Sequence, residues 1–252
     1  MPKIKPLGGE VDWPIDEGTL GIVGVAPWAT LEFCKVLYTR VLATKDWHYP
    51  RVIVDINTKL PSRGRYFQLG ETDPSPAIKE SISELHLQGA TVVVVPCNTA
   101  HILYDKWAES APVTVPHIVK ETLALAANAG SKVITPFVSS SLADSDLYGG
   151  FAEQLGFECR RLKSDEQSLI AAIINDVKIQ GSVSNSNLES LMHLNKTLQA
   201  EGVDTVLFGC TELTIIGAEL AKTTLKYFDS NVALAEAALK FLHLPSERIK
   251  TQ

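Results

Sequence analysis

Two cysteines occupy equivalent places in two copies of one short pattern. The first copy is GATVVVVPCNT, from Gly89 to Thr99, and the second is GVDTVLFGCTE, from Gly202 to Glu212. In each, a glycine that can close a helix is followed by an apolar run, and a cysteine stands eight positions after the glycine: Cys97 and Cys210. Polar residues come next, Asn98 and Thr99 in one copy and Thr211 in the other. A parallel strand ending in Cys plus polar residues places a thiol at the carboxyl edge of a sheet, where open α/β proteins bind ligands. Two such edges facing each other hold two thiols across one cleft. That arrangement suits removal of a proton from one face of a carbon and return of a proton to the other. The thiolate is the base and the thiol the acid, and a thiol serves as base only where its pKa is lowered or its partner is positioned. A packed thiol accounts for one isolated cysteine; the matched placement of two is what singles them out.

The neighbouring polar residues carry two readings each. Asn98, Thr99 and Thr211 have the groups to bond a substrate carboxylate or amine, and equally to cap the helix that follows. Glu212 and His101 lie close enough in sequence to orient or ionise a thiol. For Glu212 the competing reading is a surface salt bridge, and for His101 a structural hydrogen bond. Arg63, in a polar stretch, has the fork geometry for a carboxylate. Lys178 sits near a helix end, where the dipole favours a cation anyway. Ser139, Ser140 and Ser141 follow a strand and could form an anion nest from backbone N–H groups, or a plain flexible loop. Cys34 and Cys159 read as packing residues within a helix and a strand. There is no G-x-G-x-x-G, no P-loop and no Schiff-base lysine motif, so no nucleotide, metal or pyridoxal phosphate is called for, and the expectation is no cofactor.

The elements that must position these residues alternate. Strands are expected at 20–27, 51–57, 92–96, 132–137, 157–162 and 205–209, and helices at 29–45, 77–89, 121–130, 165–181, 188–202 and 231–244. Residues 60–76 read as a long polar loop, and 139–156 as a Ser-rich loop leading into a helix. Alternating strands and helices imply a parallel sheet with right-handed crossovers. The repetition implies two pseudo-symmetric, Rossmann-like α/β lobes, each a mainly parallel sheet flanked by helices, with the active site in the cleft between them. The lobes are expected at 18–116 plus 226–252 and at 117–225, after an irregular extension at 1–17.

The 252 residues suffice for a substantial core, and 45% hydrophobic with 21% charged residues is ordinary for a globular protein. A net charge of −6 argues against nucleic acid as the main partner. The longest apolar runs are too short to cross a bilayer, and the first residues lack a secretory signal pattern, so no membrane role and a cytoplasmic location are expected. None of the four cysteines is in C-x-x-C spacing, against a zinc ribbon or a thioredoxin-type motif.

VVPCNTAH (94–101) and FGCTEL (208–213) resemble the two signature motifs of the aspartate/glutamate racemase superfamily, and the resemblance runs from about Gly21 to the C-terminal helix. It implies a cofactor-independent, two-cysteine proton exchange between L and D amino acids. INTKLPSR resembles the N-x-x-x-P-D-R loop of the aspartate racemase branch, and LGETDPSP its following Gly/Asp-Pro segment. The resemblance therefore implies an acidic amino acid, aspartate first, as substrate. By position, Asn57 would lie near it, Arg63 would bind its side-chain carboxylate, and Lys178, from VKIQG, would be a second carboxylate ligand. A homodimer is implied by resemblance alone. Three departures stand out: the family's G-G-M-G-P loop is GVAP (24–27), the Asp of P-D-R is Ser62, and the A-T-x-x-T anion loop is VSSSL (138–142). Two alternatives therefore stand beside the racemase: a maleate-type cis/trans isomerase with a Cys nucleophile, and a catalytically weak binder of an acidic metabolite.

Overall fold

The computed structural model describes residues 17–217 and 223–251. The expected N-terminal extension lies, apart from Glu17, outside the described residues. Strands β1 (Thr19–Gly24), β2 (Arg51–Ile56) and β3 (Val92–Val94) form one sheet in the order β2-β1-β3. Strands β4 (Val133–Val138), β5 (Glu158–Cys159), β6 (Thr205–Gly209) and β7 (Lys226–Asp229) form a second, in the order β5-β4-β6-β7. All strand pairs are parallel. A parallel bridge from Val92 to Thr114 occupies the place in the first sheet that β7 fills in the second. The strand orders therefore superimpose, β1 on β4, β2 on β5 and β3 on β6, as two related lobes require.

The helices are α1 (Pro27–Thr39), α2 (Arg63–Leu69), α3 (Ser75–Leu87), α4 (Tyr104–Ala108), α5 (Ile118–Asn128), α6 (Ser140–Ser145), α7 (Leu147–Gln154), α8 (Ser164–Gln180), α9 (Asn185–Ala200) and α10 (Ser230–Phe241). None of them is long and apolar enough to cross a membrane. Gly89 and Gly202 have φ of 103° and 90°, so both glycines end their helices in the left-handed region that disfavours a side chain.

Alternation along the strands separates the cores. Val93 and Val95 face α3 with Ile78, Ile82 and Leu85, while Val92 and Val94 point the other way. In the second lobe, Val206 and Phe208 pack with Ile170, Ile173 and Leu191 from α8 and α9. The inward faces of both sheets meet in one continuous cluster with Phe33, Leu37, Ile118, Leu123, Leu234 and Leu239. Helix α10 is buried from Ser230 to Leu239, the pattern of a helix enclosed on all sides.

Four expectations change. The 60–76 stretch is not a bare loop: it contains α2, whose N-cap Ser62 accepts from the Arg65 amide at 3.3 Å and whose stop is Gly70 at φ 67°. Ser140 and Ser141 belong to α6, with Ser139 at its N-cap position, so the serines form a helix start rather than a loop. The strand at 157–162 shrinks to Glu158–Cys159: the Arg160 amide still donates to the Ile134 carbonyl at 2.9 Å, and its side chain pairs with Glu166 and Glu201. Lys226–Asp229, allotted on sequence to the first lobe, pairs with β6 in the second sheet, and only then does the chain enter α10.

The shared core makes a stability prediction. Phe33 is fully buried within it. Phe33→Ala should lower unfolding free energy by about 3–5 kcal/mol in urea titrations. A loss below 1 kcal/mol would mean that this cluster does not bear on folding.

Candidate active site

Both cysteines sit at the same structural position. Each follows a strand in extended backbone, Cys97 at φ −156° and Cys210 at φ −140°, and each immediately precedes a six-residue 3₁₀ segment, Asn98–Leu103 and Thr211–Ile216. The carbonyl of each accepts from the amide three residues on, Ala100 to Cys97 at 3.2 Å and Leu213 to Cys210 at 3.0 Å. The repeat seen in sequence is thus a repeat of backbone geometry.

The two thiols line one cavity of about 250 Å³. Its walls come from the carboxyl ends of five strands: Val25 and Ala26 after β1, Ser62–Gly64 after β2, Cys97–Thr99 after β3, Ser139–Ser141 after β4 and Cys210–Glu212 after β6. One face of α8 closes the side with Ala171, Ile174, Asn175 and Lys178, at helical spacing i, i+3, i+4 and i+7. Of the residues singled out on sequence, Cys97, Cys210, Arg63, Asn98, Thr99, Ser139, Ser140, Lys178, Thr211 and Glu212 all come together here. Asn57 does not line it: its side chain accepts from the Lys59 amide at 3.1 Å in a local turn after β2. Gln68 and Asn175 also line the cavity. Asn175 was legible as lying one turn before Lys178 on a single helix face; Gln68 became visible only once α2 existed.

Glu212 is buried, not a surface ion pair. Its Oε2 accepts from the Cys210 thiol at 3.0 Å and from the Thr211 hydroxyl at 3.4 Å, while Oε1 lies 3.9 Å from Lys178 Nζ. Burial pushes the Cys210 thiol well above its ordinary range, and the Glu212 carboxylate pushes it further; Lys178 pulls the other way. Cys210 is therefore held as a thiol with a proton acceptor in contact. Cys97 is only partly buried.

Arg63 begins α2. Nη2 donates to the Val25 carbonyl at 3.0 Å and Nη1 to the Pro61 carbonyl at 3.2 Å, while Nε is buried without a partner. Its half-buried guanidinium makes no ion pair with a described residue, in contrast to Lys178. Asn98 is occupied: its amide donates to Ser230 Oγ and accepts from the Tyr148 hydroxyl, both at 2.9 Å. Thr99 and Ser139 join their hydroxyls across the cleft at 2.9 Å.

His101 lies behind Cys97. Its Nδ1 is 2.9 Å from the Cys97 carbonyl oxygen, so that nitrogen carries the proton and donates. The ring is fully buried among Tyr104, Trp107 and His117. Burial lowers its pKa to about 4 and keeps it neutral. Cys34 and Cys159 pack against the shared core, as expected for residues outside the site.

Two parallel α/β lobes thus hold, between their carboxyl edges, one cleft that both thiols line. The Asp/Glu/Hydantoin racemase family matches residues 22–238. The broad specificity amino-acid racemase RacX of Bacillus subtilis is 22% identical over 232 residues, covering 86% of this chain and 95% of its own. The aspartate racemase of Picrophilus torridus has a similar structure, with a TM-score of 0.80 and 22% identity over 90% of this chain and 94% of its own. Glutamate racemase RacE1 of Bacillus anthracis shares the fold at a TM-score of 0.68 and 14% identity, over 94% of this chain and 85% of its own. The chain belongs to the Asp/Glu/Hydantoin racemase family, which places it among the isomerases.

The burial of His101 has a pH signature. Its folded pKa lies below the free value of 6.5, so between about pH 6.5 and pH 4 the unfolded chain binds a proton that the folded chain refuses. Stability falls as pH drops through that window. Asp229, pushed up to about 6 by burial, acts in the opposite sense, so the informative comparison is with a variant. In His101→Gln the pH 6.5 to pH 4 loss should shrink by roughly 3 kcal/mol, read from urea melts at several pH values. Parallel curves for parent and variant would contradict a neutral buried His101.

Proposed function

We propose that the protein is a cofactor-independent aspartate racemase that moves protons between substrate and two cysteines. The observation that carries this reading is the convergence of Cys97 and Cys210 on one cavity from two related strand ends. In one direction the Cys97 thiolate takes the α-proton. The Cys210 thiol delivers its own proton to the opposite face of the carbanion. This leaves Cys97 as thiol and Cys210 as thiolate, ready for the reverse direction. Glu212, in contact with the Cys210 thiol, is placed to exchange that proton and reset the pair.

Arg63 is the ligand for the side-chain carboxylate. Its guanidinium lacks a carboxylate partner among the described residues, and its Nε donor is buried and unused, so an incoming anion satisfies both. Lys178 already faces Glu212 and contributes a weaker, shared charge. The Thr99 and Ser139 hydroxyls on the cavity wall supply further donors to the substrate backbone carboxylate.

Proton NMR in D₂O of L- and D-aspartate, with glutamate and neutral amino acids alongside, tests the reaction. The α-proton signal should vanish as the opposite enantiomer appears. Absence of exchange with every amino acid, from folded protein, would favour the diacid isomerase or the binder instead. Cys97→Ser and Cys210→Ser should each reduce turnover at least about 100-fold, the lower end for loss of a positioned acid or base. Arg63→Lys should raise the KM for aspartate about tenfold or more while leaving that for alanine unchanged, since a forked contact to the side-chain carboxylate is lost. An equal effect on both substrates would move Arg63 from side-chain recognition to general binding.

A further inference from the structure

We infer that Tyr148, Ser230 and Asn231 are positioning residues that set the separation of the two thiols. This rests on the racemase reading above and adds to it a device that neither cysteine motif contains. Ser230 and Asn231 are the first two residues of α10, and both are fully buried. They reach in opposite directions. Ser230 Oγ accepts from the Asn98 amide at 2.9 Å, and Asn98 is the residue after Cys97. Asn231 Nδ2 donates to the Thr211 carbonyl at 3.2 Å, and Thr211 is the residue after Cys210; the same nitrogen lies 2.8 Å from Thr214 Oγ1. Adjacent residues of one buried helix thus hold the two cysteine segments, one each. Asp229 fixes the start of that helix by accepting from the Asn231 amide at 2.8 Å.

Tyr148 of α7 closes the arrangement from another side. Its hydroxyl donates to Asn98 Oδ1 at 2.9 Å. Its ring lies against Gly209, the residue before Cys210, so closely that a Cβ there would stand 2.7 Å from Cε2. One rigid side chain therefore bears on both cysteine segments, as a spacer with a hydrogen bond at one end and a van der Waals stop at the other. Asn98 reaches Ser230 and Tyr148 together, so a shift at either is passed to Cys97.

Two-base exchange is unusually sensitive to such a spacing. Both sulfurs must reach one α-carbon from opposite faces, and misplacement by about 1 Å can cost on the order of 100-fold in rate. When the spacing loosens, the thiolate that removes the proton still works, but the far thiol no longer reaches. The carbanion then recovers a proton from the side it lost one. Exchange with solvent continues and inversion falls behind.

The test uses the full chain in a Cys34→Ala, Cys159→Ala background, so that Cys97 and Cys210 are the only thiols. Tyr148→Phe, Ser230→Ala, Asn231→Ala and Gly209→Ala are compared with this parent. Three quantities are read: kcat and KM for racemisation, the ratio of α-deuterium incorporation to inversion in D₂O, and the rate at which dibromobimane bridges the two thiols, each thiolate displacing one bromide. Monobromobimane labelling serves as the control for thiol reactivity. The variants should lose about 10- to 100-fold in kcat with KM within about twofold. Their exchange-to-inversion ratio should rise, and bridging should slow while single labelling does not. Where a variant does not fold, Tyr148→Phe, which removes one oxygen and keeps the ring, decides. An unchanged ratio and an unchanged bridging rate in folded variants would overturn the inference, whatever happens to the melting temperature. If the parent neither exchanges nor inverts any amino acid, the racemase reading fails on that result alone. The bridging comparison still decides whether these residues set the spacing.

Discussion

Two parallel sheets can present their carboxyl edges to each other only if something rigid stands between them. Here the constraint is met by the buried helix α10, which with α5 fills the space between the inward faces of both sheets. Alanines at 233, 235, 237 and 238 let the surrounding elements approach closely, and leucines at 234 and 239 supply apolar area on the helix. Close-packed interiors of this kind do not deform continuously, so the geometry of the cleft is inherited from the core. The cavity is in this sense a by-product of packing: its five walls are the ends of strands whose middles are fixed elsewhere.

The same burial that fixes the geometry raises an electrostatic problem. A thiol enclosed as Cys210 is enclosed resists ionisation, and an adjacent carboxylate makes that worse. Glu212 cannot therefore be there to stabilise a thiolate by charge. Its contact with the thiol makes sense as a proton acceptor, with Lys178 nearby to moderate the negative charge. Among the described residues no carboxylate bonds the more open Cys97, which is backed instead by neutral His101 through the main chain. The two halves of the repeat thus share a backbone and differ in the side chains that meet the sulfur.

Much of this was legible in the sequence because it is periodic or local. The eight-residue interval from glycine to cysteine, the apolar strands and the amphipathic α3 and α8 each follow from spacing. What escaped depended on tertiary contact. Helix α2 is short, and its apolar residues are only half-buried or exposed, so periodicity had little to register; only Ser62 and Gly70 marked its ends. The aspartate racemase pattern put Asn57 near the substrate, but an Asn two residues before a lysine amide satisfies itself in a turn. Tyr148, Ser230 and Asn231 gave no signal at all, since a buried hydroxyl acting between segments far apart in sequence leaves no spacing to read.

The departures from the family pattern acquire a physical meaning once Arg63 is placed. The shortened loop GVAP offers the Val25 carbonyl to the guanidinium, and Thr30 and the Asp55 carbonyl leave no room for a side chain at Gly24. Ser62 caps α2, so it retains the capping capacity of an aspartate without its charge. An aspartate at 62 would set a carboxylate next to Arg63 and compete with an incoming anion for it. With serine there, both carbonyl contacts orient the guanidinium while neither neutralises it.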